Sequence, residues 1–333
     1  MRILVTGGAG FIGSHLCAAL LGQGHSVSVI DDFNDFYDPA IKRGNVRALP
    51  EAGLHEGNIC DLGFVESVVG GSGFDAIVHL AARAGVRPSI ENPQAYIDTN
   101  ITGTHNLLRS AATAGVGRFV FASSSSVYGL AAGAPFNEDM PIHQTLSPYA
   151  ATKLAGEHLC GNYARICGLN VTCLRLFTVY GPRQRPDLAI HKFTDAIHRG
   201  DTITVYGDGS TRRDYTHIDD IVDGIQRALG FAGSGFEIFN LGGNETTALA
   251  DLVGMIEEGL GKSAIIERVP ENPGDMPFTS ADISKAREIL GYNPRKGIRE
   301  GIAEFVRWYL SSAPPMHPRN CFGACAQRVR LSP

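Results

Sequence analysis

No uninterrupted apolar run in the 333 residues reaches the ~18 that a membrane-spanning helix needs, so no membrane-embedded role is expected. Positive charge is in deficit as well. Against 34 Asp and Glu stand 29 Lys and Arg, a formal charge of −5 that leaves no basic footprint for nucleic acid. Metal-ligand spacing is missing too: the seven cysteines (17, 60, 160, 167, 173, 321 and 325) are scattered and read as reduced thiols. Nothing ahead of Arg2 offers a cleavable signal, because the first residues already read as a working strand and turn. A cytoplasmic enzyme of one compact unit with two lobes is the expectation.

What is present begins at once. The apolar run Arg2-Ile3-Leu4-Val5-Thr6 leads into Gly7-Gly8-Ala9-Gly10-Phe11-Ile12-Gly13 and then into a helical pattern over 14–21. Strand, glycine turn and helix in that order let a pyrophosphate approach the backbone at a positive helix N-terminus. The spacing, Gly-x-x-Gly-x-x-Gly, is one residue off the standard dinucleotide fingerprint. A second apolar strand over 27–30 ends in Asp31-Asp32, about 20 residues past the glycines, where a carboxylate holds ribose hydroxyls and repels a 2′-phosphate. NAD rather than NADP is the expected cofactor.

Tyr149 and Lys153 follow a serine run, Ser123 to Ser126. On a helix their i, i+4 spacing puts phenol and ammonium on one face. A phenol titrates near ~10, so its use as a base at neutral pH calls for nearby positive charge, which Lys153 can supply. A serine hydroxyl from another segment completes a base, a cation and a hydrogen-bond partner for oxidising an alcohol. The spacing by itself is common on solvated helices; its setting gives it meaning.

Along the chain, strands are expected at 2–6, 26–31, 53–58, 75–81, 117–123 and 171–176, with helices near 14–22, 62–70, 93–114 and 149–167. This alternation predicts an α/β fold, a Rossmann-type doubly wound parallel sheet with ligands beyond the carboxyl ends of its strands. Residues 1–176 would form the NAD-binding domain. Residues 177–310, with helices at 188–199 and 218–230 and short strands near 203–206, 237–240 and 264–268, would form a smaller C-terminal substrate-binding lobe with some return to the sheet. The proline-bearing stretch 311–333 reads as a disordered tail. Gly259-Leu260-Gly261-Lys262-Ser263 mimics a nucleotide loop, but Ile256 stands where that loop needs glycine, so a helix end is expected. His217, Asp219 and Asp220 fall at a helix start, where such residues cap, and no metal is expected.

The glycine spacing, the serine run with Val127-Tyr128-Gly129, the Tyr149/Lys153 pair and Arg213-Asp214-Tyr215 together resemble the extended short-chain dehydrogenases, and within them the nucleotide-sugar 4-epimerases. The longer strings Asp31-Asp32-Phe33-Asn34-Asp35-Phe36-Tyr37-Asp38-Pro39, Ala84-Gly85-Val86-Arg87 and Phe177-Thr178-Val179-Tyr180-Gly181-Pro182 with Arg185-Pro186-Asp187 are similar to those of UDP-glucuronate 4-epimerases. The likeness covers roughly residues 1–310.

It implies that Gly7, Gly10, Phe11, Ile12 and Gly13 hold the pyrophosphate, with Asp31, Asp32 and Asn34 at the ribose. Asn58 and Ile59 would lie against adenine, Leu80, Ala81, Ala82, Ser123 and Phe177 along the cofactor channel, and Asn100 would brace it. Ser124, Tyr149 and Lys153 would be catalytic, Ser125 and Ser126 being close enough to leave the serine open. Arg87, Ser125, Ser126, Thr178, Arg185, Lys192, Tyr206, Arg213 and Asp275 would meet a UDP-sugar. The resemblance also implies a homodimer through the helices near 93–114 and 149–167.

Three features bear on the sugar. Relatives that dehydrate or decarboxylate resemble one another in a carboxylate-bearing Thr-x-Glu or Thr-Asp-Glu element where this chain has Ser124-Ser125-Ser126, which argues for plain epimerisation. Arg183 and Arg185 place guanidinium groups beside the expected sugar site, and paired hydrogen bonds to a hexuronate carboxylate suit Arg185. Asn272 stands where relatives acting on neutral UDP-hexoses often carry arginine. UDP-glucuronate is therefore the expected substrate, with UDP-glucose or UDP-N-acetylglucosamine as the alternative, and net oxidation of a sugar nucleotide behind both.

Overall fold

The computed structural model describes residues 1–129, 133–233, 235–243, 245–270 and 278–312. Twelve strands organise it: β1 Arg2–Thr6, β2 Ser26–Asp31, β3 Gly53–Glu56, β4 Ala76–His79, β5 Arg118–Ser124, β6 Asn170–Leu176, β7 Thr178–Tyr180, β8 Thr202–Tyr206, β9 Arg212–His217, β10 Phe236–Leu241, β11 Thr246–Ala248 and β12 Ile265–Val269. Seven form one sheet in the order β10-β6-β5-β4-β1-β2-β3, and every pair in it is parallel. Strands β1, β4 and β6 are buried almost from end to end because helices cover both faces. The order reverses between β1 and β4, so a crevice opens there beyond the strand ends.

Two core clusters flank the sheet. One contains Ile3, Val5, Val29, Val78, Val120 and Leu174; the other contains Leu4, Ile30, Ile77, Phe119, Phe121 and Cys173. Neighbouring strand residues face opposite ways, which sends Ile3 and Leu4 into different clusters. A third cluster, with Tyr180, Ile190, Val205, Leu252 and Phe305, is the core of the C-terminal lobe. That lobe carries a three-stranded sheet, β11-β9-β7, and the parallel pair β12-β8.

The expected return to the sheet is made by the segment 237–240, as β10 beside β6, where Phe239 is fully buried. Three expectations change in detail. The single helix expected over 93–114 is a short helix Pro93–Ile97, a π-helical stretch Asp98–Gly103 and a helix Thr104–Thr113. Ser311 and Ser312, placed in the tail by sequence, complete the last helix, Ile298–Ser312. Helix Pro39–Arg47 escaped the sequence reading, although Asp38 caps it through the amide of Ala40 at 2.8 Å and Pro39 starts it. Helix Leu249–Leu260 ends at left-handed Gly261, the helix end expected there.

Candidate active site

A cavity of about 450 Å³ lies along the carboxyl ends of β1, β2, β4, β5 and β6. Its floor is the glycine turn. Gly7 has φ +69°, and a Cβ there would stand 2.8 Å from the Ala81 amide. At Gly13 a Cβ would meet the Gly7 carbonyl at 2.2 Å, so only glycine lets the helix start this close to the turn. Helix Phe11–Gly22 has no side-chain cap, and Phe11, Ile12 and Gly13 at its first turn line the cavity. Uncapped amides at a positive helix end, with no side chain in the way, fit a pyrophosphate. Opposite them Asp31 accepts from the Ala9 amide at 3.2 Å and the Phe33 amide at 3.0 Å. These residues fit a dinucleotide.

Lys42 was missed by sequence. Its buried ammonium sits 3.8 Å from Asp31 and donates to the Asn34 carbonyl at 3.2 Å. Burial raises the Asp31 carboxyl and Lys42 opposes that rise. On the same helix Asn45 donates to the Ala9 carbonyl at 2.9 Å, tying it to the glycine turn. The signal that would have found both is the Asp38-Pro39 helix start, which sets Lys42 and Asn45 at i, i+3 on one face.

Helix Pro148–Cys167 lies against the end of β5 and is stitched to it turn by turn. Its N-terminus is secured by Ser147, which accepts from the Ala150 amide at 3.2 Å, and by Pro148 in the first turn. The Tyr149 phenol comes under the influence of the Ser124 hydroxyl, which lowers its pKa. Ser124 accepts in turn from the amide of Ser126 at 3.2 Å and from its hydroxyl at 3.0 Å. With its lone pairs so engaged, Ser124 keeps its proton free to donate. Ser124 is thus the member of the serine run that favours the phenolate. Burial raises the Tyr149 pKa; the Ser124 bond and the Arg185 charge lower it.

Lys153, expected as a cation beside the phenol, is anchored to β5. Its ammonium donates to the Ala122 carbonyl at 2.7 Å, and burial lowers its pKa to about 8 against the raising influence of Cys160, Cys173 and Glu157. A further cation, Arg185, lowers the Tyr149 pKa as well. Arg185 lies in the cavity wall above the Phe36 ring, 5.6 Å from its centroid. Its Nε and Nη2 donate to the two carboxylate oxygens of Asp187, each at 2.8 Å. That side-on fork leaves Nη1 without a hydrogen-bond partner among the described residues.

The cavity gathers Gly7, Gly10, Phe11, Ile12, Gly13, Asp31, Asp32, Asn34, Asn58, Ile59, Leu80, Ala81, Ala82, Ser123, Ser124, Ser125, Ser126, Tyr149, Lys153, Phe177, Thr178 and Arg185. Phe36, Tyr37 and Lys42 join them unexpectedly. Asn100 is set behind the wall, where its amide and carbonyl hold the backbone of Arg83 and its amide also reaches Thr152. Arg87 and Tyr206 meet outside the cavity, the guanidinium 4.6 Å from the ring centroid. Lys192 is exposed on helix Ala189–Arg199, and Arg213 lies on β9 with Nη1 donating to the Arg212 carbonyl at 3.0 Å. Asp275, like Asn272, lies outside the described residues.

Among the described residues, His217, Asp219 and Glu304 bring three potential metal ligands within 4.8 Å of one another. The Lys296 ammonium stands 3.0 Å from Glu304 and 3.8 Å from Asp219, a cation where a metal would go. His217 meanwhile caps helix Ile218–Gly230 through the amide of Asp219 at 3.2 Å.

Residues 3–242 match the model of the NAD dependent epimerase/dehydratase family. UDP-glucuronate 4-epimerase 4 of Arabidopsis thaliana is 43% identical over 332 residues, covering 93% of this chain and 76% of the relative. The UDP-glucuronic acid 4-epimerase of Bacillus cereus, solved with UDP-glucuronic acid and NAD, superposes with a TM-score of 0.88 at 38% identity, over 93% of this chain and 99% of its own. The UDP-glucose 4-epimerase of Thermotoga maritima, solved with UDP-glucose, also reaches 0.88, at 33% identity over 94% of this chain and 100% of its own. Backbone shape is therefore shared between enzymes of acidic and neutral sugars.

Proposed function

The chain belongs to the NAD dependent epimerase/dehydratase family, and we propose that it is the 4-epimerase that converts UDP-glucuronate to UDP-galacturonate. One observation carries the choice of the acid over a neutral sugar. Arg185 stands in the cavity wall near Tyr149, aligned by Asp187 and with Nη1 available for a carboxylate.

NAD, when bound, supplies a nicotinamide that accepts a hydride from carbon 4 and returns it. The glycine turn with Phe11 and Ile12 would hold its pyrophosphate, and Asp31, flanked by Lys42, its ribose. Tyr149 takes the proton of the 4-hydroxyl and gives it back after the 4-keto sugar has turned over in the pocket. Ser124 orients that hydroxyl and favours the phenolate by donating to it. Lys153 contributes positive charge one helical turn away. Oxidation at carbon 4 of a glucuronate makes a β-keto acid, which loses carbon dioxide once the carboxylate bond lies perpendicular to the carbonyl plane. Arg185 holds the carboxylate out of that alignment.

The protein is read as cytoplasmic, in keeping with the thiols of Cys17, Cys60, Cys160, Cys167 and Cys173, which form no disulfide. It is also read as a homodimer through the helices near 93–114 and 149–167. Ile97 and Ile166, 42% and 76% exposed, lie on those helices. Among the described residues no helix is long and apolar enough to cross a membrane.

The test is NMR of the purified protein, with no NAD added, incubated in turn with UDP-glucuronate and UDP-glucose. UDP-galacturonate from the acid alone is the expected result. UDP-galactose as the main product would overturn the substrate, and turnover that begins only when NAD is supplied and then consumes it stoichiometrically would overturn the epimerase.

A further inference from the structure

We propose that Glu157 is a positioning residue of the reaction, holding the end of β5 through Ser123 and keeping Lys153 charged at the floor of the site. The proposal rests on the reading of Tyr149 and Lys153 as the catalytic pair.

The helix presents Tyr149, Lys153 and Glu157 on successive turns of one face, and the three bind three consecutive residues of β5. Tyr149 meets Ser124, Lys153 donates to the Ala122 carbonyl, and Glu157 accepts from the Ser123 hydroxyl at 2.5 Å. Ser123 faces Arg175 across β5 and β6 in the sheet register. Arg175 donates Nε and Nη2 to the same carboxylate at 3.0 and 2.8 Å. The pair is 3–4% exposed, so neither charge is relieved by water. Arg175 also stacks on Tyr128 at 4.8 Å, and Tyr128 donates to Asn240 at 2.7 Å, which carries the network to β10. A carboxylate at 157 therefore fixes where β5 ends relative to the helix, and with it the reach from Tyr149 to Ser124.

Charge is the second consequence. The groups facing the Lys153 ammonium are Glu157 and Cys160 on its own helix, Cys173 on β6, His79 on β4, and the Ala122 carbonyl and Phe121 ring on β5. Cys160 and Cys173 are buried thiols and His79 is a buried imidazole whose pKa lies far below neutrality. Glu157 is the carboxylate in this set. Replacing it by glutamine removes one negative charge and leaves the Arg175 charge uncompensated, and both changes disfavour a protonated Lys153.

The experiment follows kcat against pH, and in parallel the 13Cε-lysine NMR titration of Lys153, assigned with Lys153→Met. In Glu157→Gln both are expected to move to lower pH by about one unit, with KM within about twofold of the parent. The double variant Glu157→Gln/Arg175→Met should bring both back toward the parent. Glu157→Asp keeps the charge but withdraws from Ser123, so kcat should fall about tenfold with the alkaline limb unmoved. A folded Glu157→Gln with neither profile shifted would overturn the proposal. If Glu157→Gln does not fold, Glu157→Asp and Ser123→Ala decide, and parental kcat in both would overturn it. The NMR titration needs no sugar, so a parent protein inactive on UDP-glucuronate would sink the substrate reading while leaving this test intact.

Discussion

Tyr149 must lose its proton in a place where burial makes the phenolate costly, and the Ser124 hydroxyl and the Arg185 charge oppose that. Tyr149→Phe is expected to lower kcat by about 10²–10⁴ while the protein still folds, as steady-state kinetics with a melting curve would show. Arg185→Ala is expected to lower kcat/KM for UDP-glucuronate by about 10–100-fold, or to release UDP-pentose and carbon dioxide, with UDP-glucose turnover little changed. Unchanged kinetics and a clean product would remove Arg185 from the carboxylate site.

His79 makes a different kind of prediction. Thr104 donates to the Asn100 carbonyl at 2.7 Å, so Thr104 must accept from His79 Nε2 at 2.9 Å, and His79 Nδ1 accepts from Thr6 at 2.7 Å. The ring is thereby held neutral, and burial lowers its pKa from 6.5 to about 3. The unfolded chain binds a proton here below pH 6.5 and the folded chain does not until about 3. Stability is therefore full above 6.5 and falls across that window, by up to about 1.4 kcal/mol per pH unit for one proton. His79→Gln should flatten that part of the stability–pH curve in urea titrations.

Local elements show where tertiary demands override local pattern. The stretch Asp98–Gly103 reads as ordinary helix by composition, yet it widens to a π-helix. Within it Asn100 is 2% exposed and spends its amide and carbonyl on the Arg83 backbone and on Thr152. A π segment inside a helix often marks a functional position. Asn100→Ala would leave the Arg83 amide unpaired in the wall of the cavity. A loss of about 1–3 kcal/mol in urea unfolding is expected, with weaker NAD retention on gel filtration. An unchanged midpoint would show that water replaces the side chain.

The described residues on either side of the expected boundary at residue 176 interlock. β10 pairs with β6 over six residues, and Asn240 on it reaches Tyr128, Phe136 and Asp282. Asp214 accepts from the amides of Gly243 and Ala281, and Asp220 from those of Arg295 and Lys296, which fastens those four positions to β9 and helix Ile218–Gly230. A fragment of residues 1–176 would uncover β6 and the apolar residues that β10 and helix Ile218–Gly230 pack against. It is expected to melt without a cooperative transition, whereas residues 1–312 should unfold in a single step by circular dichroism.

The strands β1 to β6, the glycine turn, Asp31 and the Tyr149/Lys153 helix were all legible in the chain, because each depends on local periodicity or on a motif of fixed spacing. The pairing of Ser124 rather than its neighbours with Tyr149, the Arg185–Asp187 fork, Lys42 beside Asp31 and the Glu157–Arg175 pair under Ser123 were not. Each joins groups whose meeting depends on packing, and no periodicity records which rotamer a side chain takes or which carbonyl claims an ammonium. The sequence could name Lys153 as a cation near Tyr149; only the packed sheet aims that cation at Ala122, because an ammonium buried beside β5 must bind the acceptor within its reach.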